Sequence, residues 1–171
     1  MKKSKKTAIA GIFTALCVVV LFVGSLFQSL DLSAAAFASM IIVVVLTELG
    51  RNWALGVYGA SAIISLLLLP YKSPALIFAV FAGLYPLAKQ FLNRITPMWL
   101  SYLARIVFFN IILVILVFAA SKLLFLEEFF FNFKAVIFLL SNITFVLYDF
   151  ALERIVMYYI IKIRPTIFKR R

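Results

Sequence analysis

Residues 134–163 read KAVIFLLSNITFVLYDFALERIVMYYIIKI, a long apolar stretch with charged side chains near its middle. Most of it has the composition of a membrane-spanning helix, yet Asp149, Glu153 and Arg154 lie inside or close to the apolar zone. Charged groups in lipid are costly and usually face a partner, a cavity or the interior of a helix bundle. The stretch therefore predicts a helical membrane protein and also its most informative polar residues.

The whole chain has the composition of a protein whose main solvent is lipid. Of its 171 residues, 66% are hydrophobic and 13% are charged, which is more apolar surface than a soluble domain could bury. The apolar runs are continuous and lack the alternation of a barrel strand. We predict an all-α, polytopic six-transmembrane-helix bundle, a single integral membrane domain over residues 1–171, with spans at about 7–28, 34–49, 53–69, 75–92, 99–125 and 134–162.

The distribution of the cations predicts the orientation of this bundle. With six spans, Lys72, Lys122 and Lys134 fall on one side of the membrane, and the other cations fall on the side of the amino terminus: Lys2, Lys3, Lys5, Lys6, Arg51, Lys89, Arg94, Arg105, Arg154, Lys162, Arg164, Lys169, Arg170 and Arg171. The positive-inside rule then places both termini in the cytoplasm, with the protein in the plasma membrane. The net charge of +11 indicates anionic lipid rather than nucleic acid as the partner.

Polar residues of the last two spans are the candidates for an interior site. Asp149 and Glu153 are four residues apart and so share one helix face, and Asn142, seven residues before Asp149, joins that stripe. Arg105 and Asn110 lie in the early half of the fifth span. The depths of Arg105 and Glu153 in their spans differ by roughly one helical turn, which a long arginine side chain can cover. We therefore predict an interhelical pair of Arg105 with Glu153 or Asp149.

The end of the last span has two interpretations. Residues 129–163 are too long for one perpendicular span, so part of the stretch tilts or lies along the interface. If the span ends before Glu153, then Glu153 and Arg154 lie at the lipid headgroups, and residues 155–163 form an amphipathic surface helix. Asp149 would then have a structural role in a salt bridge, whereas a deeper span would favour a role in transport or coupling.

Features near the ends of the predicted spans give four smaller predictions. Pro86 should kink the fourth span near its end, and Lys89 should extend its amine to the inner interface. Residues 127–132 (EEFFFN) should form an aromatic loop at the interface, and residues 164–171 (RPTIFKRR) a basic tail.

The chain carries none of the usual enzyme motifs. It has no histidine and a single cysteine, Cys17, so the commonest metal ligand and any internal disulfide are excluded. A glycine-rich phosphate loop, a metalloprotease helix and a Gly-x-Ser-x-Gly elbow are missing as well. We predict that the protein is not an enzyme and that it uses no cofactor and no metal.

Small residues recur every four positions in the first span. Thr7, Gly11 and Ala15 form a smooth stripe that another helix can approach closely. The stripe serves either ordinary packing within the chain or docking to a partner helix.

With this stripe in the segment KKTAIAGIFTALCVVVLF, the chain resembles the substrate-binding membrane subunits, or S components, of energy-coupling-factor vitamin transporters. Those bacterial proteins are similar in size, have six helices and a basic cytoplasmic amino terminus, and dock through small residues of the first helix. The matching residues are Gly11 and Ala15, with Thr7 and Ala8 nearby. The segments GVYGASAIISLLLLP and GLYPLAK are also similar to a group of small membrane proteins of Firmicutes-type bacteria.

The resemblance implies a transport function. A small nutrient, whose identity the resemblance does not give, would bind from outside. The protein would deliver it by toppling within a complex with a transmembrane coupling subunit and two ATPase subunits.

Two other classes of function remain open. The rod-shape-determining small membrane subunit of cell-wall synthesis is similar in length and span count and is a scaffold that transports nothing. A transporter subunit should have a ligand-sized cavity opening outward, whereas a scaffold should have a filled core and apolar grooves. A lipid-modifying enzyme would need catalytic groups converging at one interface, for which Asp149, Glu153 and Arg105 are the candidates.

Overall fold

The computed structural model describes residues 3–93, 95–123 and 135–164, and all regular structure in these ranges is helical. A 3-10 turn at Gln28–Leu30 joins the first two helices, and π-helical turns lie at Phe78–Ala82 and Tyr159–Ile163. The α-helices are α1 (Lys3–Leu26), α2 (Asp31–Glu48), α3 (Arg51–Leu68), α4 (Ser73–Ile77), α5 (Tyr85–Leu92), α6 (Met98–Leu123) and α7 (Ala135–Tyr158). The predicted all-α class is thereby confirmed for the described residues.

Within the part of the chain that the structure describes, four helical segments are long and apolar enough to cross a membrane: Lys3–Leu26, Asp31–Glu48, Ser73–Leu92 and Met98–Ile115. Two helices of comparable length are not among them. The helix α3 begins with Arg51 and Asn52, and α7 carries three charged residues in its second half. The four segments support a membrane protein, while the count of six spans stays a prediction.

The helices begin and end close to the predicted span bounds. The second helix begins three residues before its predicted span, at Asp31, which adds a negative charge at the positive end of the helix dipole. Five predicted features lie outside the described residues: Lys2, Arg94, the aromatic loop at 127–132, Lys134 and the tail beyond residue 164.

The chain divides into two compact units, one over Met1–Lys134 and one over Ala135–Arg171. In the first unit, α1 packs against α2 and α3, and the segment from α4 to α5 packs against α2 and α6. In its described part, residues 135–164, the second unit contains α7 and the π-helical turn that follows it. The prediction of a single membrane domain stays a prediction.

Small residues permit the close packing of α1 on α2. The buried face of α2 carries Ala34, Ala35, Ala38 and Ser39, and Sγ of Cys17 lies 3.7 Å from the carbonyl oxygen of Ala38. Small side chains at helix contacts let the backbones approach, which is how membrane helices gain van der Waals contact. Larger side chains fill the rest of the core, including Leu21, Ile42, Leu69, Phe78 and Tyr85.

The first unit exposes many apolar side chains, whereas its interior contains some polar ones. Exposed side chains include Ile12, Leu67 and Leu103, whereas Ser39 and Ser61 are buried. Their hydroxyls donate to carbonyls of their own helices, Ser39 to Ala36 and Ser61 to Val57, both at 2.7 Å. The hydroxyls of these two serines are thus satisfied within their own helices, as a lipid environment requires of polar groups.

Candidate functional site

The end of α5 and the beginning of α6 bring a buried arginine against polar and aromatic groups. Arg105 donates from Nη2 to Oδ1 of Asn93 at 2.6 Å, and its guanidinium carbon lies 4.6 Å from the ring centroid of Tyr102. The hydroxyl of Ser101 donates to the Leu92 carbonyl at 2.8 Å, which ties the two helices together. Arg105 is only 6% exposed, so it is an interior cation of the first unit.

Two more cations lie against aromatic rings of α5. The guanidinium carbon of Arg51 is 4.0 Å from the ring centroid of Phe91, and Nζ of Lys89 is 5.8 Å from that of Tyr85. Both distances suit a cation–π interaction. We call the group of Arg51, Lys89, Asn93 and Arg105 the basic junction.

The prediction that Lys89 extends its amine to the interface is wrong for the described structure, since the residue is only 6% exposed. Lys89 is four residues after the fully buried Tyr85 and so lies on the inward face of α5. The spacing of four residues places Lys89 on the same face as Tyr85, but the sequence does not tell which face of α5 is buried.

The predicted polar stripe of α7 lies on the buried face of that helix. Asp149 is 7% exposed, and Phe145 and Leu152, on the same face, are 3% and 2% exposed. Asn142 and Glu153 are partly buried and extend the stripe. The opposite face is exposed and apolar, with Ile143, Val146, Leu147 and Phe150. The carboxylate of Asp149 and the exposed apolar side chains therefore lie on different faces of α7.

The two predicted asparagines bond to their own helices. Nδ2 of Asn110 donates to the Ile106 carbonyl at 2.8 Å, and Nδ2 of Asn142 donates to the Phe138 carbonyl at 3.0 Å. Bonds to the carbonyl one turn earlier lower the cost of placing an amide in an apolar environment. The predicted pair of Arg105 with Asp149 or Glu153 would join the two units and stays a prediction.

The fourth apolar segment is interrupted between α4 and α5, and the sequence predicted only part of this interruption. The chain widens into the π-helical turn Phe78–Ala82, and the Gly83 amide donates to the Phe78 carbonyl, five residues earlier, at 2.8 Å. Pro86 follows in the first turn of α5 and leaves a carbonyl one turn earlier without its helical donor. Pro86 predicted a kink, whereas the wide turn before it was missed. Such turns are frequent at functional positions of helices.

Tyr58 of α3 closes this break from the side. Its hydroxyl donates to the carbonyl of Ala79 within the π-helical turn, and its ring lies against Phe78 with centroids 5.9 Å apart. The contact joins positions 21 residues apart, so no local sequence signal could have found it.

Aromatic rings extend from the break towards α6. Phe81 lies 5.3 Å from Phe109 and 5.5 Å from Tyr85 between ring centroids, the first pair edge to face. These separations are those of favourable ring pairs. The rings pack the broken segment against α6 through Phe109. Tyr85 also contacts Lys89 of the basic junction.

The three predicted docking residues of α1 are all exposed. Thr7, Gly11 and Ala15 lie on the outer side of the helix, and a Cβ built on Gly11 would meet no atom within 4 Å. The packed face of α1 carries Ala10, Cys17 and Leu21 instead.

No three His, Cys, Asp or Glu side chains come together as a possible metal site among the residues that the structure describes. Comparison with known proteins finds no matching family model, no matching curated protein and no matching solved structure.

Proposed function

We propose that this protein is the substrate-binding membrane subunit of an energy-coupling-factor type importer for a small nutrient, working with separate coupling and ATPase chains. In this proposal α3 and α7 complete six spans, and both termini lie in the cytoplasm. The resemblance in the first span supplies the hypothesis, and the exposed stripe on α1 is the observation that supports it.

The stripe supports the proposal because the rest of the described chain does not cover it. Gly11 lies in open space, whereas the helix packs inward through Cys17 and Leu21, both 0% exposed. A smooth face on a membrane helix gains contact only when a second helix approaches it. Within the proposal, that second helix belongs to the transmembrane coupling subunit.

The polar residues of the last two spans are the proposed interior or ligand-contacting groups. Asp149 and Glu153, with Asn142, line one face of α7, and Arg105 and Asn110 belong to α6. Groups of this kind inside an apolar bundle are retained where they bind a ligand or couple two states. Their roles in this proposal are to bind the nutrient or to hold the helices that surround it.

The test is affinity purification from the native membrane in mild detergent, followed by mass spectrometry of proteins and of extracted small molecules. We expect a coupling subunit and an ATPase pair, with the bound nutrient identifying the substrate. Gly11→Leu should remove these partners while the chain itself still folds. Gly56→Leu is the matched control, because Gly56 is an exposed helical glycine with equally open surroundings on α3.

Two results would contradict the proposal. Recovery of cell-wall synthesis proteins, with neither ATPases nor a small molecule, would favour the scaffold function. Retention of the same partners by Gly11→Leu would show that the stripe docks nothing.

A further inference from the structure

The exposed face at the end of α7 carries aromatic rings and cations in strict alternation. Phe150, Arg154, Tyr158 and Lys162 follow at intervals of four residues, and all four are exposed. The guanidinium carbon of Arg154 lies 5.0 Å from the Phe150 ring centroid, and Nζ of Lys162 lies 5.3 Å from that of Tyr158. We call these four residues the ring–cation ladder.

The ladder lies on the side of the helix away from the buried stripe. At 3.6 residues per turn, its four positions are centred roughly opposite Phe145, Asp149 and Leu152. The carboxylates of this helix, Asp149 and Glu153, are buried or partly buried. The ladder therefore presents positive charge together with ring surface.

With α7 as a membrane span, its length places the ladder at a membrane boundary. At 1.5 Å per residue, a hydrocarbon core of about 30 Å takes about 20 residues. Counted from Ala135, the first residue of α7, that length ends at Arg154. The part from Tyr158 onward then lies beyond the hydrocarbon.

We infer that the ring–cation ladder binds the headgroups of anionic phospholipids at the membrane surface. Placing the charged groups of Arg154 and Lys162 in the hydrocarbon core would cost much free energy. In bulk water, the neighbouring apolar side chains of Met157 and Ile161, which are 55% and 68% exposed, would lack apolar contacts. The interface satisfies both requirements, since rings enter the acyl boundary while cations reach phosphates. The excess of cations on this face selects anionic over zwitterionic lipid.

The inference rests on α7 as a membrane span, as in the proposed six-span arrangement, but it does not depend on the transport function. It also chooses between the two interpretations of residues 155–163, because a segment held at the headgroups is not part of a span.

The test uses a fluorophore placed beside the ladder. Ile161→Cys, in a Cys17→Ala background, carries the label in nanodiscs that contain phosphatidylglycerol and phosphatidylcholine. The quencher is attached to the headgroup of phosphatidylglycerol in one sample and of phosphatidylcholine in the other, and the quenching of the fluorophore in the two samples is compared. We expect stronger quenching from phosphatidylglycerol, and this preference should weaken as salt is added.

Charge-removing variants then locate the source of the preference. Each cation lost from Arg154→Gln/Lys162→Gln should lower the local enrichment of phosphatidylglycerol about fivefold. The control Lys3→Gln/Lys5→Gln removes the same charge from exposed positions of α1 and should leave quenching at residue 161 unchanged. Arg154→Lys/Lys162→Arg should retain the enrichment, since it keeps both charges.

Equal quenching by the two lipids would overturn the inference, as would quenching by neither. An equal loss in the α1 control would also overturn it, because net charge rather than the ladder would then attract the lipid.

Discussion

The two ends of α1 contain similar small residues in different surroundings. Near its end, Gly24 packs so closely on α2 that a Cβ at this position would collide with Cβ of Ala34. Near its beginning, Gly11 is exposed, and an added Cβ would meet nothing within 4 Å. Packing within the chain requires glycine at position 24, whereas it does not require glycine at position 11. The difference separates a residue that builds the fold from one that is available to a partner.

The largest effect is expected from Gly24→Leu. The added side chain has no space between α1 and α2, and forced overpacking costs about 3 kcal/mol of the free energy of unfolding or more. Thermal unfolding of the purified protein, followed by size-exclusion chromatography, measures the loss. Gly11→Leu is the control on the same helix and should change stability by no more than about 0.5 kcal/mol. Equal destabilisation by the two would erase the distinction.

Gly83 extends the comparison to the broken segment. A Cβ at Gly83 would lie 2.6 Å from a ring carbon of Tyr58 and 2.9 Å from Phe78, and the Tyr58 ring is held by its bond to Ala79. We expect Gly83→Ala to destabilise the protein by about 2 kcal/mol. Gly59→Ala, in a helix with open surroundings, should be neutral or slightly stabilising. Unfolding of the two variants side by side tests this, and a harmless Gly83→Ala would show that the ring moves freely.

Charged residues provide a similar contrast between a buried position and a partly exposed one. Asp149 is 7% exposed, whereas Lys72 lies in a turn and donates to the Leu66 carbonyl near the end of α3 at 2.7 Å. Asp149→Ala should cost about 1–2 kcal/mol of stability, and Lys72→Ala about 0.5 kcal/mol. Folded yield and unfolding temperature in detergent compare the two. Equal values would argue against an interior role for Asp149.

Gly50 sharpens the comparison by separating space from backbone conformation. Its surroundings are as open as those of Gly11, but its φ is +92°, a value that side-chain-bearing residues rarely adopt. We expect Gly50→Ala to cost about 1 kcal/mol through strain between α2 and α3. The helical Gly56→Ala, with equal space, should cost nothing. A differential scan of both variants measures the strain, and no difference would mean that the turn adapts.

Sequence reasoning predicted the helical class and approximate bounds of the helices because continuous apolar runs and their polar interruptions are local signals. It also grouped Asn142, Asp149 and Glu153 on one face of α7, since residues four and seven apart share a helix face whatever surrounds them. It missed Asn93 as a partner of Arg105 and Tyr58 as a partner of Ala79, because both bonds join different elements. The burial of Lys89 depends likewise on which face of α5 points inward.

The sequence by itself determined that this protein is helical, strongly basic and apolar enough for a membrane, because these properties follow from composition and from the spacing of residues within one helix. The tertiary structure alone decided which small residues are covered and which are open. It distinguished Gly24 from Gly11 and placed Asp149 on the buried side of α7, opposite the ring–cation ladder. The physical reason is that a residue type specifies what a surface can contact, whereas contact itself depends on which elements the fold brings together.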